Sequence, residues 1–300
     1  MATAEAADTL PHIDAALVRR LVDSQFPQWA TLPLELLVPA GSDHVIYRLG
    51  DELSVRLPRH AGAIGQARKE SHWLPRLAPH LPLTIPAPVG VGEPDFGYPW
   101  PWAVSRWLEG EVATVETLAD SAPATVELAG FLTALQRFTL PENVSAGDLP
   151  EELTGRPLSD RDHATRATIE RLAGVFDAPA MTALWEEALN APAWSGPPVW
   201  FHGDFHTGNL LTRDGRLSAV IDFGSLGVGD PAPDLMIAFT LLTPANRAVF
   251  HDALGVDEAT WLRGRGWALA TGLNAYSSYA AVNPVIAAQT TRQIGAALAG

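Results

Sequence analysis

His202-Gly203-Asp204-Phe205-His206-Thr207-Gly208-Asn209, with Ile221-Asp222-Phe223-Gly224 soon after it, decides how this chain is read. Taken singly, a Gly-Asp pair is most often a turn, and an Asp after an apolar run is most often a strand-end carboxylate. Taken together, the two stretches supply an Asp, an Asn and a second Asp in order and at close range. Their surroundings bring them to one place. Residues 199–202 read as a short buried strand, 209–212 as the start of another, and 217–221 as an apolar strand after an Asp214-Gly215 turn. A hairpin built this way holds Asp204 and Asn209 at one mouth and returns Asp222 to it.

An amide and a carboxylate oxygen suit Mg²⁺, which keeps several waters and takes its other ligands from substrate phosphates. Asn209 and Asp222 are therefore candidate metal ligands, Asp204 is a candidate proton acceptor, and the implied partner is ATP or GTP.

These motifs, H-G-D-x-x-x-x-N and I-D-F-G, resemble those of the aminoglycoside phosphotransferase family, small-molecule kinases with a protein-kinase-like fold. Protein kinases carry H-R-D-x-x-x-x-N and D-F-G at the equivalent places; here Gly203 replaces the Arg, as in the small-molecule kinases. The resemblance implies that Asp204 accepts or orients the proton of an acceptor hydroxyl, that Asn209 binds one Mg²⁺ and that Asp222 binds both. It also covers Asp230-Pro231-Ala232-Pro233-Asp234, implying that Asp234 braces the catalytic loop and that Asp230 caps the helix beyond it.

The implied fold is α+β and bilobal: an N-terminal antiparallel-sheet lobe (1–107), a connector (108–111) and a larger, mainly helical C-terminal lobe (112–300). Local patterns agree. Asp14 can cap a helix over 15–26, strands are expected over 34–38, 45–49 and 53–57, and a helix over 62–74 ends at Pro75. Strands over 89–92 and 102–107 complete the small lobe. Helices follow over 124–138, 162–176, 180–189, 233–242, 244–253, 258–278 and 284–298, with a loop-rich excursion over 140–160.

By the resemblance, Arg56 in the third strand holds the α- and β-phosphates where protein kinases use Lys, and Glu70 in the following helix pairs with it. Gly41, Ser42 and Asp43 sit where the phosphate loop belongs, although the stretch has one Gly and lacks the G-x-G-x-x-G signal. The backbone C=O of Arg106 and N–H of Leu108 are the expected contacts to the nucleotide base.

Composition narrows the class. The chain has 300 residues, 47% apolar, enough for sizeable cores. Its 20 basic and 34 acidic residues leave a net charge of −14, which argues against nucleic-acid binding and admits a cationic acceptor. Nineteen of the 20 basic residues are Arg, and zero Cys excludes disulfides and thiolate chemistry. No signal peptide or membrane-spanning stretch is expected, and dependence on ATP points to the cytoplasm. The expected activity is ATP- or GTP-dependent O-phosphorylation of a small molecule, with an aminoglycoside-type antibiotic first among acceptors. The alternatives are another small alcohol, such as a macrolide, choline or homoserine, or a non-catalytic nucleotide-binding protein. Acidic residues of the large lobe, Asp160, Asp162, Glu170, Asp252, Asp257 and Glu258, are candidates to line a cationic pocket.

Overall fold

The structure, a computed structural model, describes residues 12–38, 43–139 and 150–300. Contacts divide the chain into two units, Met1–Pro79 with Ile85–Glu109, and His80–Thr84 with Gly110–Gly300. The division after Glu109 falls inside the stretch read as the connector.

The first unit opens with α1 (Ala15–Gln25), whose N-cap Asp14 accepts from the Leu17 N–H at 2.8 Å. That bond satisfies one of the orphan donors of the first turn. Val18, Leu21 and Val22 recur at helical spacing and are fully buried; burying each contributes about 1.5–3 kcal/mol. They pack on a five-stranded antiparallel sheet built from β1 (Leu34–Leu36), β2 (His44–Leu49), β3 (Leu53–Pro58), β4 (Pro88–Gly92) and β5 (Trp102–Arg106). Its strand order is β1-β2-β3-β5-β4, so β3 is central.

Between β3 and β4 lies α2 (Gln66–Leu77). The expected end at Pro75 is not observed; the helix passes through it. Pro75 forfeits one backbone hydrogen bond, which ordinarily breaks a helix, but Trp73, Leu74 and Leu77 bury on either side of it and hold the last turn in place. The start is also later than expected, because residues Ala61–Ala63 form a separate 3-10 turn.

In the second unit β6 (Glu111–Val112), α3 (Val115–Leu118), α4 (Ala122–Arg137), α5 (Asp162–Arg171) and α6 (Ala178–Asn190) precede β7 (Val199–Phe201), β8 (Leu210–Arg213), β9 (Arg216–Val220) and β10 (Gly227–Gly229). The helices α7 (Met236–Thr240), α8 (Pro244–Leu254), α9 (Glu258–Tyr279) and α10 (Pro284–Ala299) complete it. The strands form two small sheets, β10-β7 and β6-β8-β9. The strands flanking the polar loop therefore do not make a hairpin with each other: β7 pairs with β10, and β8 with β9. The β8–β9 turn is Asp214-Gly215, with φ of 54° and 73°, the two left-handed residues a type I′ hairpin requires. Thr84 joins the far edge of this hairpin, accepting from Val220 N–H at 2.9 Å. That places His80–Thr84 with the second unit, although the sequence reading set it in the small lobe.

Among the described residues no helix is long and apolar enough to cross a membrane.

Candidate active site

The loop from His202 to Asn209 is fixed from three sides. Phe205 is fully buried and stacks on Phe131 of α4, the ring centroids 5.6 Å apart and nearly parallel. His202, also fully buried, lies 4.6 Å from the ring of Phe223. Beneath the loop, Asp234 is wholly buried and accepts from two successive backbone N–H groups, His202 to Oδ2 and Gly203 to Oδ1, both at 2.7 Å. Burial pushes the Asp234 carboxyl up to about 7, against the pull of those two donors. Asp230 both caps the Ala232 N–H, at 3.0 Å, and pairs with Arg263 at 2.7 Å.

Gly203 is required here on two counts. Its φ is +84°, and a Cβ added to it would sit 2.3 Å from the Ser225 carbonyl oxygen. A side chain, let alone the Arg of protein kinases, has no room at this position.

His202 ties the two motifs together. Its Nδ1 accepts from the Asp204 N–H at 3.2 Å, so the ring proton sits on Nε2, which donates to the Ile221 carbonyl at 3.0 Å. Burial lowers the pKa of His202, which keeps this tautomer neutral. Ile221 in turn donates its N–H to the Asn209 carbonyl at 2.9 Å. Asp222 follows directly in the left-handed conformation, φ 63° and ψ 70°, a conformation that costs a non-Gly residue energy and persists where surrounding structure enforces it.

Asp204 and Asn209 touch: Asn209 Nδ2 donates to the Asp204 carbonyl at 2.9 Å and to its Oδ2 at 3.1 Å. This commits the amide nitrogen inward and leaves Oδ1 as the atom that could coordinate a metal. His206 Nε2 lies 3.5 Å from Asp204 Oδ2. Burial alone would raise the Asp204 pKa, but the His206 contact and charge, with His202 and Asn209, bring it below the usual carboxylate range. Burial would likewise lower His206, and the carboxylates of Asp204 and Asp222 outweigh it and raise its pKa. Asp222 also acts on His202, so its charge is felt by the same two imidazoles that Asp204 touches. The Ile221 bond to Asn209 sets Asp222 one residue from the contact that joins Asn209 to Asp204, and 44% of the Asp204 side chain is open to solvent.

The donor set is oxygen-only. Among the described residues no group of three or more His, Cys, Asp or Glu is placed to hold a metal ion. One amide oxygen beside one carboxylate fits Mg²⁺ completed by water and phosphate oxygens.

In the first unit, Arg56 of β3 donates from Nη1 to Glu70 of α2, 2.9 Å to Oε2 and 3.2 Å to Oε1. Glu70 is 2% exposed and Arg56 12%, so this pair is desolvated and geometrically fixed. Gly41 and Ser42 lie outside the described residues. Asp43 turns its carboxylate toward His60 Nε2 at 3.3 Å and Gln66 Nε2 at 3.4 Å. At the end of β5, the Arg106 side chain pairs with Glu52 at 2.8 Å and its N–H goes to Ala87. Leu108 is half-buried, and its N–H has no hydrogen-bond partner among the described residues.

Sequence reasoning passed over His202 as a tautomer-fixed strut and His206 as a partner of Asp204. The i to i+2 spacing of both histidines to Asp204 was the available signal.

Solved structures share this fold. APH(2")-IIia, solved with GDP and kanamycin, superposes with a TM-score of 0.73 at 18% identity, covering 94% of this chain and 98% of that one. APH(2")-IIa in a ternary complex with streptomycin and ATP gives 0.60 at 17%, covering 96% and 99%. Macrolide 2'-phosphotransferase MphH from Brachybacterium faecium gives 0.57 at 22%, covering 92% and 97%. No curated protein matches the chain in sequence. The profile of the phosphotransferase enzyme family matches residues 36–297. With a match that spans both units and both motifs, the chain belongs to the phosphotransferase enzyme family.

Proposed function

We propose that this phosphotransferase moves the γ-phosphoryl group of ATP or GTP to a hydroxyl of a small molecule. The observation that carries the reading is the convergence of Asp204, Asn209 and Asp222 on a loop braced by Asp234, His202 and two buried Phe rings. Phosphoryl transfer asks a protein for positioning and charge stabilisation more than for covalent chemistry, and a rigid loop supplies positioning.

Asp204 receives the acceptor hydroxyl in a hydrogen bond and aims its oxygen at the phosphorus. Because His206 and Asn209 keep the carboxylate below its usual pKa, Asp204 is a weak base. It takes the proton only as the new P–O bond forms and the bond to the β-phosphate oxygen breaks, releasing the nucleoside diphosphate. Asn209 Oδ1 and the Asp222 carboxylate would hold Mg²⁺, which when bound neutralises phosphate charge. Arg56, aimed by Glu70, would grip phosphate oxygens of the nucleotide, and the Leu108 N–H with the Arg106 carbonyl would meet its base.

The neighbouring structures were solved with both guanine and adenine nucleotides, so donor identity stays with the assay. Bound kanamycin, gentamicin and streptomycin in those structures support an aminoglycoside-type acceptor as the reading to test first. Another small alcohol is the second reading, supported by the likeness to macrolide 2'-phosphotransferase MphH. The test is Asp204→Ala: acceptor-dependent ADP release is lost while Mg·ATP affinity is retained. Transfer at the wild-type rate in that variant refutes the assignment.

A further inference from the structure

The acidic residues nominated for a cationic pocket are committed elsewhere. Asp162 accepts from Trp185 Nε1 and Arg166 Nε, each at 2.7 Å, Asp252 and Glu258 face His251 at 3.7 and 3.8 Å, and Asp160 and Glu170 are exposed. Asp257 caps α9, accepting from the Thr260 N–H at 2.7 Å. It thereby seats the first turn of the helix that carries a buried cation, Arg263.

The Arg263 side chain is 7% exposed, and each of its nitrogens is bonded. Nε donates to Asp230 Oδ2 at 2.7 Å and Nη2 to Asp230 Oδ1 at 3.1 Å, while Nη2 also meets Thr260 Oγ1 at 3.1 Å and Nη1 the Pro192 carbonyl. An Arg fork bound at two points to a carboxylate fixes orientation as well as distance. The pair stands at one end of the β7–β10 ribbon: Asp230 directly follows Gly229, which faces Val199 across the ribbon. The catalytic loop leaves the other end, where His202 follows Phe201 and its partner is Gly227. The 3-10 turn Ala232–Leu235 joins these two ends. Asp230 Oδ1 accepts from its first N–H, that of Ala232, at 3.0 Å, and Asp234 within it accepts from His202 and Gly203, both at 2.7 Å. The residue after Arg263 grips the same turn. A Cβ added to Gly264 would stand 2.6 Å from the Leu235 Cβ and 3.3 Å from the Ala232 carbonyl oxygen, so α9 lies against the turn as closely as glycine allows.

We propose that Arg263 is a positioning residue for the reacting carboxylate. It fixes Asp230, Asp230 fixes the turn, and the turn presents Asp234 to the two N–H groups that immediately precede Asp204. The inference rests on the phosphotransferase reading and adds a residue that acts through others. An ion pair that only fastened α9 would need no hold on Ala232. Here one oxygen, Asp230 Oδ1, serves both the guanidinium and the Ala232 N–H, and that sharing couples the helix to the loop. Asp234 holds the loop only as firmly as the turn that carries it is held.

The test uses the full chain and two readouts. The first is hydrogen exchange of the Gly203 amide by NMR, scaled to the amide of Leu132 in the core of α4, which follows global opening. The second is ADP release with Mg·ATP and whichever of kanamycin, erythromycin and choline the wild type turns over fastest. Arg263→Gln should lower kcat about ten- to a hundredfold, the scale of a reacting group displaced by up to about 1 Å, and speed Gly203 exchange, with KM for Mg·ATP near wild type. Arg263→Lys should recover part of both. Asp230→Asn keeps an oxygen for the Ala232 N–H but loses the charge. It should match Arg263→Gln, and the double variant should lose no more kcat than either, as residues acting in one chain of contacts do. Arg265→Gln is the control: it lies on the same helix, and among the described residues its hydrogen bonds go to the Ala297 carbonyl alone. It should lower the thermal midpoint and leave kcat and scaled Gly203 exchange unchanged. Arg263→Gln behaving as this control does, less stable but with kcat and scaled exchange intact, overturns the inference and leaves the proposed function standing. Should Arg263→Gln fail to fold, Arg263→Lys and Asp230→Asn carry the same comparison. No acceptor-dependent ADP release from the wild type counts against the phosphotransferase function, and Gly203 exchange then decides the inference: faster in the Arg263 variants it supports the clamp, unchanged it removes it.

Discussion

Replacing Gly203 by Ala puts the catalytic loop to a quantitative test. The added Cβ would stand 2.3 Å from the Ser225 carbonyl oxygen and 2.9 Å from the Ser225 Cβ. The first obstacle is backbone, so no rotamer change relieves it. Restoring ordinary contact, about 3.4 Å, needs a displacement of about 1 Å, and the loop is held at that point by the 2.7 Å bond from the Gly203 N–H to Asp234. Two costs add. An L-residue held at φ +84° loses about 1–2 kcal/mol. Pulling a backbone N–H off a buried carboxylate loses about 1.5–3 kcal/mol more. The expected destabilisation is about 2.5–5 kcal/mol, read from the urea midpoint at constant slope. Asp204 is the next residue, and a misplacement of about 1 Å at a reacting group costs about 10²-fold in rate, so kcat should fall by that order while nucleotide affinity holds. Gly215→Ala is the control. It has φ +73° and nothing within 4 Å of the new Cβ, so it carries the conformational cost alone, about 1–2 kcal/mol, with kcat unchanged. A Gly203→Ala protein with the midpoint and kcat of the Gly215→Ala control would refute the account, because it would show that the Ser225 contact and the Asp234 bond impose nothing.

Three further outcomes are expected. Glu70→Gln leaves the Arg56 guanidinium buried without its carboxylate; removing one partner of such a pair costs about 3–5 kcal/mol, and KM for ATP should rise with it, whereas unchanged stability and KM would show that the pair neither holds α2 nor aims Arg56. Asp222→Ala should weaken Mg·ATP binding measured by titration calorimetry, and an unchanged affinity would remove Asp222 from the metal site. For Asp234 the folded pKa of about 7 lies above the ordinary 3.8, so the folded protein holds this proton more tightly than the unfolded chain does. The stability it contributes is complete below about pH 4 and lost as pH rises through 7. The wild type should therefore lose stability relative to Asp234→Asn across that window, and a difference that is flat or rises with pH would contradict the assignment.

What the sequence made legible follows the range of the forces involved. The cap at Asp14, the α1 face of Val18, Leu21 and Val22, and the Asp214-Gly215 turn are set by neighbours within a few residues, and each is found where the pattern placed it. Pro75 misled because its local cost is real but is outweighed by Leu74 and Leu77, whose burial depends on partners distant in sequence. The strands β6 and β10, two and three residues long, carry no periodicity of their own. They exist because Glu111 finds Thr212 and Gly227 finds Phe201, and that same pairing replaced the expected hairpin around the loop.

The site divides along the same line. Asp204, Asn209 and Asp222 could be nominated because an Asp, an Asn and a second Asp stand in order at short spacing. The remainder of the site depends on long-range packing: Asp234 lies 32 residues from the His202 N–H it receives, and the Phe205 ring is held by Phe131 of α4. Neither contact leaves a mark in composition, whose net charge of −14 admitted a cationic acceptor. A global charge describes the mean field over the whole surface and is screened within about 8–10 Å at ordinary salt. The groups that touch Asp204, His206 at 3.5 Å and Asn209 at 3.1 Å, act inside that length, so for the chemistry of this carboxylate the local partners outrank the global sum.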